Sequence, residues 1–187
     1  MSYDWHYQDF NPGMTDMEVI NTLTNYPTQG GNLFRAMDSL IDVLHHNRNN
    51  VDALRFIIHL TGDRFCPMHT AHLDDLGGNK VKLKWFGADY NLHRIWDEGI
   101  IDNLNFSYTE FAKKLENTHA AYKKSIRRMS WAEITLNNYL LCNAIYDYQQ
   151  TWDGNCWKYV YDFTPALEWQ LYASGIRLAM ILNEIYG

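Results

Sequence analysis

Two histidine–aspartate pairs stand four residues apart, His59 with Asp63 and His93 with Asp97. On a helix that spacing sends both side chains from one face. His69 follows Asp63 by six residues, and Cys66-Pro67 between them forces the chain to turn. One such pair alone reads most simply as a hydrogen-bonded, partly buried histidine. Two pairs and a third histidine in one short stretch favour a metal site instead. Imidazole and carboxylate together suit zinc, and three protein ligands leave a position open for water. His59 adds to this, because the helix expected to carry it has almost no polar face, where an unpartnered imidazole is costly to bury. Cys66 has the chemistry of a ligand, but the His and Asp set already suffices, so it is expected to be a packing residue or a free thiol. His45, His46 and His119 sit on helix faces outside this organised set and are expected at the surface.

The elements that must position these residues read as helices. Leu33, Ala36, Met37, Leu40, Ile41 and Leu44 repeat at helical spacing between Asn32 and His46. Val51 to Gly62 is apolar nearly all round, which predicts a central, buried helix carrying His59. Leu92, Ile95, Trp96, Gly99 and Ile100 mark a further helix carrying His93 and Asp97. Thr15 with Glu18, Ser107 with Glu110 and Ser130 with Glu133 have the capping-box spacing. Thr164-Pro165 is a cap and first-turn pair for a last helix running towards Tyr186. One stretch departs from this pattern. After the turn Gly77-Gly78-Asn79, Val81, Leu83 and Trp85 alternate with Lys80, Lys82 and Lys84, as one arm of a small hairpin does. The three lysines share a face, read more simply as solvated than as a phosphate-binding strip. The expected fold is mainly α, a single-domain multi-helix bundle over residues 1–187 with a small β-hairpin.

The 187 residues carry 16 basic against 22 acidic side chains, a formal charge of -6. A protein holding nucleic acid by counterion release alone would be basic, so simple electrostatic binders are excluded. A phosphate-bearing substrate would need positive charge from elsewhere, and a bound metal is the obvious source. Aromatic residues make up 15% of the chain. Most must be core, though a few exposed ones can stack on bases. Three cysteines are too few for a disulfide scaffold, and only weak spacing evidence suggests that Cys142 pairs with Cys156. No apolar run approaches the roughly 18 residues of a membrane span, and the opening residues carry no signal-peptide pattern.

Three motifs in order, FIIHLTGDRFCPMH from Phe56 to His69, GGNK from Gly77 to Lys80, and NLHRIWD from Asn91 to Asp97, resemble the S1/P1 nucleases, zinc-dependent enzymes specific for single strands. WHYQD from Trp5 to Asp9 and the final segment from Tyr172 to Gly187 extend the likeness over nearly the whole chain. The resemblance implies a mainly helical enzyme with up to three zinc ions on the floor of a cleft. On that pattern His6, His59 and Asp63 match ligands of one zinc, and His69, His93 and Asp97 match the protein ligands of a second. Asp63 matches the carboxylate that bridges to a third. Asp9 matches an acidic residue that contacts the base or orients the attacking water. Tyr7 and Leu76 lie where the family clamps a nucleobase. The implied function is phosphodiester hydrolysis of single-stranded DNA or RNA, with 3'-nucleotides as further, phosphomonoester substrates and Asp9 and Asp63 as the catalytic carboxylates. A phospholipase C-like phosphodiesterase and an inactive metal-binding fragment are the alternatives. The implied location is secreted or periplasmic.

The sequence also departs from the family pattern. Family members begin with a Trp whose amine and carbonyl bind the third zinc, followed by a further His, an Asp and an Arg, all ahead of the segment matching Trp5-His6. Those residues have no counterpart here, and Asp4 is too close to His6 to supply the Asp. One or two zinc ions, little nuclease activity and self-association through uncovered apolar surface are therefore expected of the chain as given. Cys66 stands where the family usually has Gln, and Met68 where it has Leu.

Overall fold

The computed structural model describes residues 3–27 and 30–187. Among the described residues the helices are α1 (Asp16–Asn21), α2 (Leu33–His46), α3 (Val51–Phe65), α4 (Leu92–Arg94), α5 (Ile100–Leu104), α6 (Tyr108–His119), α7 (Lys123–Arg128), α8 (Trp131–Thr151) and α9 (Cys156–Tyr186). Strands β1 (Lys82–Trp85) and β2 (Ala88–Asn91) lie between α3 and α4. The architecture is mainly α with one small hairpin, as the sequence predicts.

Local chemistry explains most of the boundaries. All three capping boxes close in both directions: Thr15 opens α1, Ser107 opens α6 and Ser130 opens α8. Each satisfies orphan N–H groups of the first turn. In the hairpin, Leu83 faces Tyr90 and Trp85 faces Ala88. Its two turn residues, Phe86 and Gly87, both have positive φ, 47° and 86°, the signature of a type I′ connection. Lys84 pairs with Asp89 across the strands at 2.6 Å, in keeping with a solvated lysine face.

Helix α9 corrects one expectation. It begins at Cys156, capped by the side chain of Asn155, and carries Pro165 in its interior instead of starting at Thr164-Pro165. The Thr164 hydroxyl donates to the Val160 carbonyl at 2.6 Å, so it bonds back along the helix. The carbonyl that proline leaves without its usual partner belongs to Tyr161, which is exposed and can be hydrated. On the other face Tyr159, Val160, Phe163 and Leu167 form a buried stripe that crosses the proline without a break. Tertiary burial here outweighs the local break.

Helix α3 also differs from its expected form. Ala53, Ile57, Leu60 and Phe65 are buried, but Val51, Ile58 and His59 are exposed. It packs against α2 and α9, which leaves an outer face open despite its apolar composition. His59 is therefore not a buried imidazole. His119 is a correction in the opposite direction: it is buried at the end of α6, facing α9, with Nε2 3.6 Å from Glu168 and its ring near Tyr172. His45 and His46 are exposed as expected. The cysteines are free thiols. Cys142 lies in the core nine residues before the end of α8, roughly 13 Å along its axis, and cannot reach the loop before Cys156.

Three apolar clusters form the interior. The first joins α1, α2 and α3, the second gathers the hairpin and α4 against α8 and α9, and the third sits between α6, α7 and α9. Helix α9 contributes to all three. No described helix is long and apolar enough to cross a membrane.

Candidate metal centre

The last turns of α3 present His59 and Asp63 on one face, as their spacing requires. His6 reaches them from a short extended segment pinned by backbone bonds: Gln8 N–H donates to His69 O and Phe10 N–H to Ala71 O, both at 2.8 Å. Three ligand atoms converge as a result. His6 Nδ1 lies 2.9 Å from Asp63 Oδ2 and 2.9 Å from His59 Nε2, and His59 Nε2 lies 3.3 Å from the same oxygen. Asp63 is buried, whereas the His59 side chain is 58% exposed.

Cys66 ends α3, and Pro67 starts a 3-10 turn, Pro67–Thr70, that carries His69. Asn138 of α8 anchors this corner, donating to Arg64 O, Cys66 O and Thr70 Oγ1. The hairpin then returns the chain to Asn91, whose side chain caps α4 at Arg94 N–H. Helical geometry runs on from α4 into α5 through a π-helical turn, Ile95–Gly99, which holds Asp97. Such turns occur often at functional sites. His69 Nε2 lies 3.1 Å from Asp97 Oδ1, and His93 Nε2 lies 3.2 Å from Asp97 Oδ2. Both rings are oriented from behind: His69 Nδ1–H donates to His6 O at 2.5 Å and His93 Nδ1–H to Gly77 O at 2.7 Å. With Nδ1 engaged, Nε2 is the atom that each ring presents to Asp97, the arrangement found where histidine binds metal. Cys66 Sγ–H also donates to Asp97 Oδ1, at 3.6 Å. Asp63 links the two groups, with Oδ1 3.7 Å from His69 Nδ1.

The electrostatics follow from this packing. Burial would raise the Asp97 carboxyl, but hydrogen bonds from His69 and His93 hold it well below the usual carboxylate range. Burial opposes charge on His69, yet its bond to Asp97 and the charge of Asp63 outweigh that and raise it. The Cys66 thiol is pushed up by burial and by the Asp97 charge. Both groups fit zinc in ligand chemistry. In the first, the separations of 2.9–3.3 Å among His6, His59 and Asp63 lie close to the roughly 3.3 Å between adjacent N and O ligands of a tetrahedral zinc with bonds of about 2.0–2.1 Å, and in the second His69 and His93 meet opposite oxygens of Asp97 at 3.1 and 3.2 Å.

Two cavities meet at His6 and His69. The larger, about 510 Å³, is lined by His6, His59, Asp63, His69 and Asp97 together with the apolar Phe65, Trp96, Leu167 and Leu171. The smaller, about 200 Å³, lies between Tyr7 and Leu76, with Asp9 and Asn79 among its lining. Leu76 is exposed and held in the left-handed region at φ 59°. Asp9 is buried with Oδ1 lacking a partner, and its carboxyl is pushed up to about 7 by burial and by the nearby charge of Asp75. Asp4 accepts a hydrogen bond from the Tyr7 hydroxyl and does not join the donor group. Every candidate residue read from the sequence therefore lines one of these two connected cavities. The sequence reading missed the apolar wall from α9 and the proximity of Cys66 to Asp97. The only sequence signal for Cys66 was its place at the helix exit three residues before His69.

Known nucleases resemble this chain over most of its length. The chain is 28% identical over 201 residues to Endonuclease 3 of Arabidopsis thaliana, covering 99% of this chain and 67% of that protein. It is 30% identical to Endonuclease 2 of the same plant, covering 90% of this chain and 62% of the relative. With Nuclease P1 of Penicillium citrinum it shares 29% identity, covering 90% and 66%. The chain thus spans about two thirds of the length of these relatives. The family model for S1/P1 Nuclease matches residues 1–187, and the chain belongs to that family.

Proposed function

We propose that this chain, as one domain over residues 1–187, hydrolyses phosphodiester bonds of single-stranded DNA or RNA, and the phosphomonoester bond of 3'-nucleotides, with zinc held by two groups. His6, His59 and Asp63 hold one ion; His69, His93 and Asp97 hold the other. The observation that carries the reading is that the two groups stand side by side, Asp63 Oδ1 lying 3.7 Å from the His69 ring, and that His6, His69 and His93 line the same cavity as Tyr7 and Leu76. When bound, zinc supplies positive charge against the phosphate and lowers the pKa of coordinated water. Among the described residues that line the two cavities there is no lysine or arginine to supply that charge.

The chain's own residues do the positioning. The carbonyls of His6 and Gly77 hold the Nδ1 protons of His69 and His93, so that Nε2 stays free to bind metal. Asp63 offers one oxygen to the first group and turns the other towards the second. Tyr7 and Leu76 stack on a base, an interaction of about 1–3 kcal/mol that every base can make. Asp9, on the cavity wall, hydrogen-bonds the base edge or orients the attacking water. A base inside a duplex cannot enter such a cavity without leaving its stack, which favours single strands. Family membership supports a secreted or periplasmic location.

The test is turnover of denatured DNA by zinc-loaded protein, before and after chelation, against duplex DNA and phosphatidylcholine. Slow, chelator-reversible cleavage of denatured DNA is expected, at least tenfold faster than of duplex. A rate no higher than that of His93→Ala overturns the reading, and preferential turnover of phosphatidylcholine replaces it with a phospholipase C-like one.

A further inference from the structure

We propose that Cys66 is a further metal ligand, its sulfur joining His69, His93 and Asp97 to complete a four-ligand set. This rests on the reading that the latter three hold zinc. The sulfur, a His69 ring nitrogen and an Asp97 carboxylate oxygen lie within 4.8 Å of one another. Around a tetrahedral zinc with a Zn–S bond of about 2.3 Å and a Zn–O bond of about 2.0 Å, sulfur and oxygen stand about 3.5 Å apart. Cys66 Sγ and Asp97 Oδ1 are 3.6 Å apart here. Joining His69 and Asp97 around an ion therefore needs little movement of the Cys66 side chain, and His93, which meets the other oxygen of Asp97, completes the set by a small turn of that carboxylate.

The backbone at Cys66 is fixed on both sides. Its N–H donates to Asp63 O at 3.0 Å, and its carbonyl accepts from His69 N–H at 3.0 Å and from Asn138 Nδ2 at 3.4 Å. The side chain faces the larger cavity, so an ion has a path to it. On ligation the S–H bond, at present donated to Asp97, breaks. A sulfur–metal bond forms and one proton leaves to solvent, with no change in oxidation state. A soft sulfur in the set favours zinc or cadmium over magnesium or manganese. Four protein ligands also close the coordination shell, the arrangement of ions that are held firmly and not left with an open position. The group at His6, His59 and Asp63 keeps its open position.

Cobalt(II) substitution tests this in the full chain. Visible ligand-field bands with a near-ultraviolet sulfur-to-cobalt band are expected, and Cys66→Ser should abolish the latter while keeping the former. Visible bands without the sulfur band overturn the Cys66 assignment and leave the zinc reading intact. No visible bands at all overturn both. Should Cys66→Ser fail to fold, alkylation of the unaltered protein decides, followed at each cysteine by mass spectrometry. Cys66 should react at least tenfold more slowly with zinc present, and partly exposed Cys156 at an unchanged rate. Equal reactivity of Cys66 with and without zinc refutes the proposal.

Discussion

Gly77→Ala should weaken the fold and zinc binding together, through one added carbon. Gly77 has φ 64°, and its carbonyl is the acceptor that orients His93. An alanine in the left-handed region costs about 1–2 kcal/mol. Its Cβ would lie 2.6 Å from Met68 O, where real contacts do not fall below 3.0 Å, so something must shift by at least 0.4 Å. The obstacle is backbone of the Pro67–Thr70 turn, anchored by Asn138, and it cannot swing aside as a side chain would. Adding that strain brings the total to roughly 2–4 kcal/mol, a loss of about 5–15 °C in Tm for a chain of this length. The same Cβ sits 3.3 Å from His93 Nδ1, so the bond to Gly77 O is disturbed directly. Loss of such an outer partner typically lowers metal affinity about 10–100-fold. Thermal unfolding of the metal-free protein and zinc competition against a chromophoric chelator would measure the two effects. Gly87→Ala is the control: it has φ 86° and nothing within 4 Å of the new Cβ, so it should cost about 1 kcal/mol and leave zinc binding alone. Zinc affinity of Gly77→Ala within twofold of the parent would refute the reasoning.

Zinc titration should show one tight and one loose event, with His93→Ala removing the tight one, because His69 and His93 are fixed from behind while His59 is largely exposed; two equally tight events would count against this. Pro165→Ala should stabilise the protein by about 1–3 kcal/mol in urea unfolding by restoring the missing helical bond to Tyr161 O, and a neutral or destabilised variant would show that the proline is needed for the packing of α9.

The sequence made legible whatever depends on neighbours along the chain. The four-residue spacing of His59 with Asp63 and His93 with Asp97, the three capping boxes and the alternation from Lys80 to Trp85 all reappear as structure. What failed depends on partners far away in sequence. Thr164-Pro165 has the chemistry of a helix start, yet the buried stripe from Tyr159 to Leu167 carries α9 straight through it. His119 has Glu116 one turn before it on α6, yet the carboxylate its ring meets, Glu168 at 3.6 Å, comes from α9. Cys66 and Asp97 are 31 residues apart and meet only because the turn at Pro67 and the hairpin fold back on α3. The exposure of His59 depends on which sides of α3 its neighbours cover, and composition does not record that.

The reach of α9 across all three apolar clusters has a consequence for biosynthesis. Every candidate ligand precedes residue 98, whereas the helix that closes the clusters and walls the larger cavity is Cys156–Tyr186. At roughly 5–20 residues per second, a ribosome needs about 5–20 s to travel from Asp97 to the end of α9. During that interval the nascent chain carries its imidazoles and thiol with no wall behind them. An ion taken up then would be bound by partly folded chain, and binding to that state subtracts from the stabilisation that the same ion gives the finished protein. Productive metal loading therefore belongs after α9 has docked, and a chain stalled before Cys156 would be an indiscriminate metal binder.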